Sequence, residues 1–447
     1  MQEKNSFVLK GNICYSDGSK KLVICPNSYV VCQEGICKGV YQELPKEYEG
    51  YVVKDMGDAL ITPGLVDLHT HAPQYAFRGL GMDLELLDWL NTHTFPEEMK
   101  YVDADYAKKA YTMFVEDLKK SAVTRAVIFA TLHIEGTKIL MDLLEASGLD
   151  TYVGKVSMDR NALEGLQEEN AEAAAKAVRQ WLLETEGRYE HTKPILTPRF
   201  IPSCSDALMA ELKSIQEKTG LPLQSHLSEN PGEIQWVQEL CPNSSSYSDA
   251  YYQAGLFGGA CPTIMAHCVW LKEEEISLIK KQGVFIAHCP QSNTNLSSGI
   301  APVRRFLDEG LSVGLGSDVA GGYSTSVLRA MADTIQCSKL RWRLVDAKQK
   351  PVTLEEAFYM GTAGGGAFFG KVGSFLEGYE FDAVVFDDSE LLHPQELSVR
   401  ERLERLIYLA DDRQIKSKFV KGNLIYEKNE KKLLTNRKTF AILSLVV

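Results

Sequence analysis

Residues 63–71 read PGLVDLHTH, and in this stretch an apolar run leads into two histidines, His69 and His71. The Pro-Gly pair marks a turn, and the residues after it are typical of a buried strand. Because residues two apart on a strand point to the same face, both imidazoles can reach one metal ion. The stretch therefore predicts a strand that ends in a metal site.

The chain changes its rhythm at this stretch. From Gly64 onward, strand-like apolar runs alternate with segments of helical periodicity, such as 106–120, 171–184, 206–218, 272–281 and 303–309. Eight strand-like runs can be counted, at 65–71, 124–131, 151–158, 194–200, 222–229, 263–270, 284–290 and 312–318. Eight parallel strands can close a barrel, so the sequence predicts an α/β fold of the (β/α)8 TIM type.

Both ends of the chain have β character instead. Short β-branched runs occur at 7–10, 22–25, 29–32 and 51–54, and the pattern returns at 381–387 and 419–426 after a last helix near 354–369. We expect the two ends to form one small β-sandwich domain, with boundaries at 1–63, 64–370 for the barrel, and 371–447. The segment after Glu427 is either an added edge strand or a disordered extension.

Composition excludes several classes of protein. The 447 residues are 45% apolar and 24% charged, as in globular proteins, and the net charge of −12 argues against nucleic acid or an anionic membrane as a partner. The N-terminus lacks the pattern of a secretory signal, and no run approaches the ~18 apolar residues of a membrane span. We therefore expect a cytoplasmic protein, and the net charge favours a small molecule as its partner. Ten cysteines lack CxxC spacing, so we expect reduced thiols.

Polar residues recur where the other predicted strands end. His226 lies in QSHLSE, His267 in IMAHC and Asp318 in VGLGSD. In a barrel these ends converge on the catalytic face, where packing alone does not explain repeated imidazoles and a carboxylate. Three histidines and one aspartate suit Zn²⁺, with Fe²⁺ as the alternative, and a bound water of lowered pKa would hydrolyse an electrophilic carbon. We expect one ion, because Lys155 lies on the third run rather than the fourth, where a lysine could bridge two metals.

Three further residues extend this predicted site. Glu229 lies three residues after His226 and is a candidate general acid and base, although a solvated glutamate at a helix start is the plainer reading. Arg199 and Phe200 end the fourth run in TPRF, where a guanidinium and an aromatic ring suit a planar substrate. A structural salt bridge is the competing interpretation of Arg199. His267 is either a fifth ligand or a hydrogen-bond partner of the metal-bound water, and we favour the second role.

The motifs PGLVDLHTH, SHLSE, MAHC and GLGSD, in this order, resemble the metal-dependent amidohydrolase superfamily. Longer segments, among them DLELLDWLNTHTFPEE, KPILTPRF, AHCPQSNTNLSSG and YLADDR, are similar to the guanine deaminase family within it. The resemblance covers residues 63–413, and the tail at 428–447 extends beyond the usual final strand.

This resemblance implies specific roles and a reaction. The zinc ligands would be His69, His71, His226 and Asp318, with His267 beside the metal-bound water and Glu229 as the proton carrier. The purine would be bound by Gln74, Arg199 and Phe200, and water would be excluded by Phe200, Trp89 and the loop at 321–323. The implied reaction is attack on C2 of guanine, in which Glu229 protonates N3 and Asp318 takes the proton of the attacking water, to give xanthine and ammonia. The resemblance also suggests a homodimer.

Two alternatives stay open at this point. The same metal site could deaminate another heterocycle, such as 8-oxoguanine, cytosine or a triazine, because loop residues can change the substrate. The second alternative is a non-catalytic barrel that serves as a scaffold, since a fold alone does not establish activity. The complete set of ligands and the glutamate argue against the scaffold.

Overall fold

A computed structural model of the chain describes residues 6–428. The first part holds four strands: β1 (Phe7–Ser16), β2 (Leu22–Gln33), β3 (Ile36–Tyr41) and β4 (Val52–Pro63). The expectation for the tail after Glu427 lies outside the described residues. Within residues 6–428, no helix combines the length and the apolar character that crossing a membrane requires.

Strands and helices alternate in the middle of the chain. In order, they are β5 (Leu65–His71), α1 (Leu86–Trp89), α2 (Phe95–Glu98), α3 (Ala104–Lys120), β6 (Val123–Phe129), α4 (Ile134–Ser147), β7 (Asp150–Gly154), β8 (Val156–Ser157), α5 (Ala171–Thr185), β9 (Thr192–Pro194), β10 (Thr197–Pro198), α6 (Asp206–Thr219), β11 (Leu223–Leu227), α7 (Pro231–Leu240), α8 (Tyr247–Gln253), β12 (Thr263–His267), α9 (Glu273–Gln282), β13 (Phe285–His288), α10 (Pro290–Asn295), α11 (Val303–Asp308), β14 (Ser312–Leu315), α12 (Val327–Leu344) and α13 (Leu354–Tyr359). The chain then returns to β structure with β15 (Ala383–Phe386), α14 (Val399–Leu409), β16 (Ile415–Val420) and β17 (Asn423–Glu427).

Each of the eight predicted runs contains at least one strand. Two four-stranded sheets are parallel, in the orders β5-β6-β7-β9 and β11-β12-β13-β14, and β8 pairs with β10. The third and fourth runs are each broken into two short strands. In the fourth, Pro194 and Pro198 cannot donate a backbone hydrogen bond, which explains why neither of its strands is long.

Strands from both ends of the described chain share one seven-stranded sheet, in the order β17-β16-β15-β4-β1-β2-β3. Two predictions at these ends are corrected. The run 419–426 is not one strand, because Lys421 and Gly422 adopt φ values of 47° and 75° and turn the chain between β16 and β17. The runs 22–25 and 29–32 belong to a single strand, β2, whose pairing with β1 shifts register near Gly11.

The predicted helix at 354–369 is also shorter than expected. Its α-helical part, α13, ends at Tyr359, and residues Met360–Gly364 continue as a π-helix. The glycines at 364–366 lower helix propensity, and Gly365 packs against β5, where an added Cβ would lie 3.2 Å from the Val66 side chain. The segment therefore serves close packing on the strand that carries His69 and His71.

Candidate active site

Four of the predicted metal ligands lie at or just beyond the carboxyl ends of parallel strands. His69 and His71 close β5, His226 lies near the end of β11, and Asp318 follows β14. The backbone of Asp318 has a φ of 46°, in the left-handed region that L-residues rarely adopt. His267, the last residue of β12, has a φ of 73°. Such conformations cluster at functional sites, where surrounding contacts hold them in place.

The four side chains converge on one buried point. Nε2 of His69 and Nε2 of His71 lie 3.2 Å and 3.4 Å from Oδ1 of Asp318. Nε2 of His71 lies 3.2 Å from Nε2 of His226. One potential ligand atom each from His69, His71 and Asp318 lies within 4.8 Å of the other two, and the same holds for His69, His226 and His267. The arrangement brings the predicted ligands together.

The hydrogen bonds of the rings fit a cation at this point. Nδ1 of His226 is 2.6 Å from the carbonyl oxygen of Arg199, so this nitrogen donates and Nε2 keeps its lone pair. Among the described residues, Nδ1 of His69 and Nδ1 of His71 have no hydrogen-bond partner, and Nε2 of His69 faces the Asp318 carboxylate. Burial lowers the pKa of His71 and His226 well below the usual range, with neighbouring His69 acting in the same direction. Neutral buried imidazoles are the form that binds metals.

A buried carboxylate behind the ligands positions the two strands that carry them. Oδ1 of Asp67, on β5, accepts the N–H of His69 at 3.2 Å and the N–H of Ser317 at 3.0 Å. The Ser317 hydroxyl donates to Oδ2 of Asp67 at 2.5 Å. Asp67 thereby ties β5 to the segment after β14. The sequence analysis did not single out this residue, although its position as the central residue of VDL, two residues before His69, was a signal.

Glu229 lies beside the ligands rather than in solvent. Its Oε2 is 3.3 Å from Nε2 of His267, and the Ser298 hydroxyl donates to Oε1 at 3.2 Å. Burial, and then the charge of Asp318, raises the pKa of Glu229 well above its ordinary value. Burial acts on Asp318 in the same direction, but His69, His267 and His71 outweigh it and hold the pKa of Asp318 well below its usual range. Two neighbouring carboxyl groups with opposite shifts are suited to separate acid and base roles.

His267 is oriented by a residue that the sequence analysis missed. The distance from Nδ1 of His267 to Oδ1 of Asn293 is 2.9 Å, so the ring donates to the amide and presents Nε2 to Glu229. Nε2 is 3.7 Å from Oδ2 of Asp318. The ring can therefore contact both carboxylates.

The predicted substrate-binding residues line one cavity beside the histidines. It is bounded by His71, Gln74, Leu86, Trp89, Leu90, Arg199, Phe200, His226, Glu229, Glu233, His267, Leu296 and Asp318. One expectation is corrected, because Tyr323 of the 321–323 loop does not border the cavity and its surface is 44% exposed.

Arg199 forms the ion pair of the competing interpretation and also lies at the cavity. The guanidinium forms an ion pair with Glu98, with Nη1 2.5 Å from Oε2, and it also borders the cavity. Lys155 is already engaged, since its Nζ donates to Glu168 at 2.5 Å and to the Val156 carbonyl at 3.0 Å. The five other histidines of the chain do not border the cavity: His93, His133, His191, His288 and His393.

Comparisons with known proteins agree with this geometry. A model of the amidohydrolase family matches residues 60–425. Guanine deaminase from Dictyostelium discoideum is 35% identical over 455 residues, which cover 95% of this chain and 100% of that protein. Guanine deaminase from Mus musculus is 38% identical, covering 81% and 82%. A crystal structure of guanine deaminase from C. acetobutylicum, with guanine bound in its active site, has a TM-score of 0.91 at 46% identity and covers 94% of this chain and 100% of that one. The chain belongs to the amidohydrolase family and, within it, to the guanine deaminases.

Proposed function

We propose that this chain hydrolyses the C2 amine of guanine, giving xanthine and ammonia. The observation that carries the proposal is one cavity bordered by His71, His226, His267 and Asp318, by the proposed proton carrier Glu229, and by Gln74 and Arg199, which would hydrogen-bond a substrate. The guanine bound to the C. acetobutylicum relative supports the choice of substrate.

The donor set supports one divalent ion per chain, held by His69, His71, His226 and Asp318. Zn²⁺ is the ion we propose, with Fe²⁺ as the alternative, because both accept imidazole and carboxylate ligands. When bound, the ion would supply a nucleophile at neutral pH by lowering the pKa of water. The approach of Nε2 of His69 and Nε2 of His71 to the same oxygen of Asp318, at 3.2 Å and 3.4 Å, supports a cation at this point.

The protein's own groups then move the protons. Glu229, whose raised pKa keeps it protonated, would donate to N3 of the purine and weaken the adjacent C=N bond. Asp318, which the neighbouring histidines keep ionised, would accept the proton of the attacking water. His267, held by Asn293 at 2.9 Å, would hydrogen-bond the water and orient it toward C2. Transfer of the proton held by Asp318 to the amine would break the C2–N bond and release ammonia, and Glu229 would recover its proton from the C2 hydroxyl as the carbonyl forms.

The remaining groups would hold the guanine ring in position. Gln74 and Arg199 would bind the O6 and N1 edge, where guanine differs from adenine. Phe200 and Trp89 are both buried and would cover the ring and exclude water.

We also infer the architecture that brings these groups together. Closure of the eight strands into a barrel is supported by backbone hydrogen bonds between β5 and the segment after β14, where the N–H of Asp318 donates to the His69 carbonyl at 2.8 Å. A bridge between Leu196 and Leu223 joins the two four-stranded sheets. In the terminal sheet, Phe7 of β1 meets Phe419 of β16 at 5.2 Å between ring centroids, which supports a sheet folded over as a sandwich.

The domain boundaries at 63 and 370 follow from this architecture and are part of the proposal. A homodimer in the cytoplasm stays a prediction.

Ammonia release from the metal-loaded protein tests the function. Guanine, adenine, cytosine and 8-oxoguanine are supplied separately, and metal content is measured on the same sample. We expect release from guanine and about one bound ion per chain. Release from cytosine or 8-oxoguanine but not from guanine would favour another heterocycle, and release from none, with metal bound, would favour the scaffold.

A further inference from the structure

Glu98 contacts both residues that are proposed to bind the O6 and N1 edge of the purine, Gln74 and Arg199. It ends α2, its side chain is only 1% exposed, and it does not border the cavity. Oε2 accepts from Nη1 of Arg199 at 2.5 Å, and Oε1 accepts from Nη2 at 3.1 Å. Oε1 also accepts from Nε2 of Gln74 at 3.0 Å. One buried carboxylate therefore holds both residues.

These contacts fix the direction of the Gln74 amide. Its Nε2 points to Glu98, and its Oε1 accepts the N–H of Ala320 at 3.2 Å. The reversed amide would set its oxygen against the carboxylate and its NH₂ against a backbone N–H, which are two repulsive contacts. The ion pair likewise fixes the plane of Arg199, whose fork geometry matches a carboxylate. Each residue keeps N–H groups that Glu98 does not use.

On the basis of the proposed function, we infer that Glu98 is a positioning residue that sets the specificity of the site for 6-oxopurines. By holding Arg199 and Gln74, it presents N–H donors to the place where O6 of the substrate would lie. A carbonyl oxygen at C6 accepts from these donors, whereas an amino group there presents further hydrogens to them. A site built from buried hydrogen-bonding groups strongly rejects ligands that leave those groups unpaired.

The charge balance of the cavity depends on the same residue. Arg199 is 3% exposed, and its guanidinium carbon lies 5.1 Å from the centroid of the Phe95 ring, so little water reaches it. Glu98 supplies the negative charge that a buried guanidinium requires. A neutral purine can then bind without carrying a countercharge, which suits guanine better than an anionic ligand.

Binding of two purines that lack the reacting amine tests the inference. Hypoxanthine carries O6 and purine does not, and titration calorimetry on the metal-loaded enzyme gives both affinities without turnover. In Glu98→Gln we expect the affinity for hypoxanthine to fall about tenfold or more, the scale of hydrogen bonds to charged groups. The affinity for purine should change by less than about threefold, so the preference for the 6-oxo ligand collapses. A purely structural role would weaken both ligands alike.

Glu97→Gln is the matched control. Glu97 is the neighbouring residue on the same helix, but its carboxylate contacts Lys100 and Tyr106 and does not border the cavity. This variant should keep the wild-type preference for hypoxanthine. If Glu98→Gln does not fold, the same titrations are made with Glu98→Asp, which keeps the charge beside Arg199. This variant should lose part of the preference for hypoxanthine over purine.

An unchanged ratio of the two affinities in the folded Glu98 variant would overturn the inference, and so would an equal loss for both ligands. These outcomes differ from failure of the proposed function. A wild-type protein that binds hypoxanthine but releases no ammonia from guanine would refute the deaminase and leave the role of Glu98 measurable.

Discussion

At the residue scale, the proposed role of Glu229 depends on the proton of its carboxyl group. Glu229→Gln keeps the size and the buried position, but it removes the carboxyl proton that its raised pKa retains. We expect guanine turnover to fall about 10²- to 10⁴-fold, the usual contribution of a general acid or base. Metal content should stay at the wild-type level, because Glu229 is not a proposed ligand.

Glu239→Gln, at an exposed position of α7, is the control for this change and should leave turnover unaltered. Wild-type turnover in Glu229→Gln would show that another group carries the proton.

A second carboxyl group makes stability depend on pH. Glu233 is buried, accepts the Tyr247 hydroxyl at 2.8 Å, and has its pKa raised to about 7 by burial and then by the neighbouring carboxyl group of Glu229. The folded state therefore binds a proton more tightly than the unfolded chain, and the associated stability is present at low pH and lost as pH rises through 7. Between pH 5 and 8 we expect the free energy of unfolding, measured with urea, to fall by about 2 kcal/mol more in the wild type than in Glu233→Gln. A parallel decline in both proteins would contradict this assignment.

The sequence predicts the site residues at the strand ends but not the residues that hydrogen-bond to them and hold them in place. His69, His226 and Asp318 were predicted because parallel strands bring their carboxyl ends to one face, a rule that needs no long-range contact map. Glu98 and Asn293 could not be found in this way. Their partners Arg199 and His267 lie far away in the chain, and only the folded structure shows that they meet.

At the scale of the elements, apolar periodicity located all eight β runs but not their internal breaks. Strand boundaries depend on turn residues and register shifts, such as the bulge between Gly11 and Ile13, and these leave no periodic signal. The long helix α12 was not among the predicted helices, although its buried face packs in the core. The elements that carry the site were therefore better predicted than the elements that surround them.

Asp67 shows how two elements become one site. Its carboxylate accepts the backbone N–H groups of His69 and Ser317, so the first and last strands of the predicted barrel meet at this residue. Gly316 permits the close approach, because a Cβ there would lie 2.9 Å from Cβ of His69. This buried carboxylate therefore helps to fix the positions of His69 and Asp318, together with the backbone hydrogen bond from Asp318 to the His69 carbonyl.

At the scale of the whole molecule, Arg125 connects the parallel strands with the terminal sheet. It lies on β6, is 1% exposed, and donates from Nε to Oδ2 of Asp382 at 2.6 Å and from Nη2 to Oε2 of Glu380 at 2.7 Å. Nη1 is 3.2 Å from Oδ2 of Asp150 on β7, and Lys421 pairs with the same aspartate. Asp382 directly precedes β15, so this network spans both parts of the fold.

Arg125→Met should therefore destabilise the whole protein without acting on the chemistry. Removing one partner leaves Asp150 and Asp382 buried and underpaired, which costs about 3–5 kcal/mol. Arg179→Met is the control, because Arg179 pairs with Glu211 while 46% exposed, and such surface pairs contribute about 0–1 kcal/mol. We expect a large fall in the unfolding midpoint for Arg125→Met only, with guanine turnover per folded molecule preserved at low temperature. Equal midpoints in the two variants would mean that the terminal sheet is held to the parallel strands by apolar packing rather than by this network.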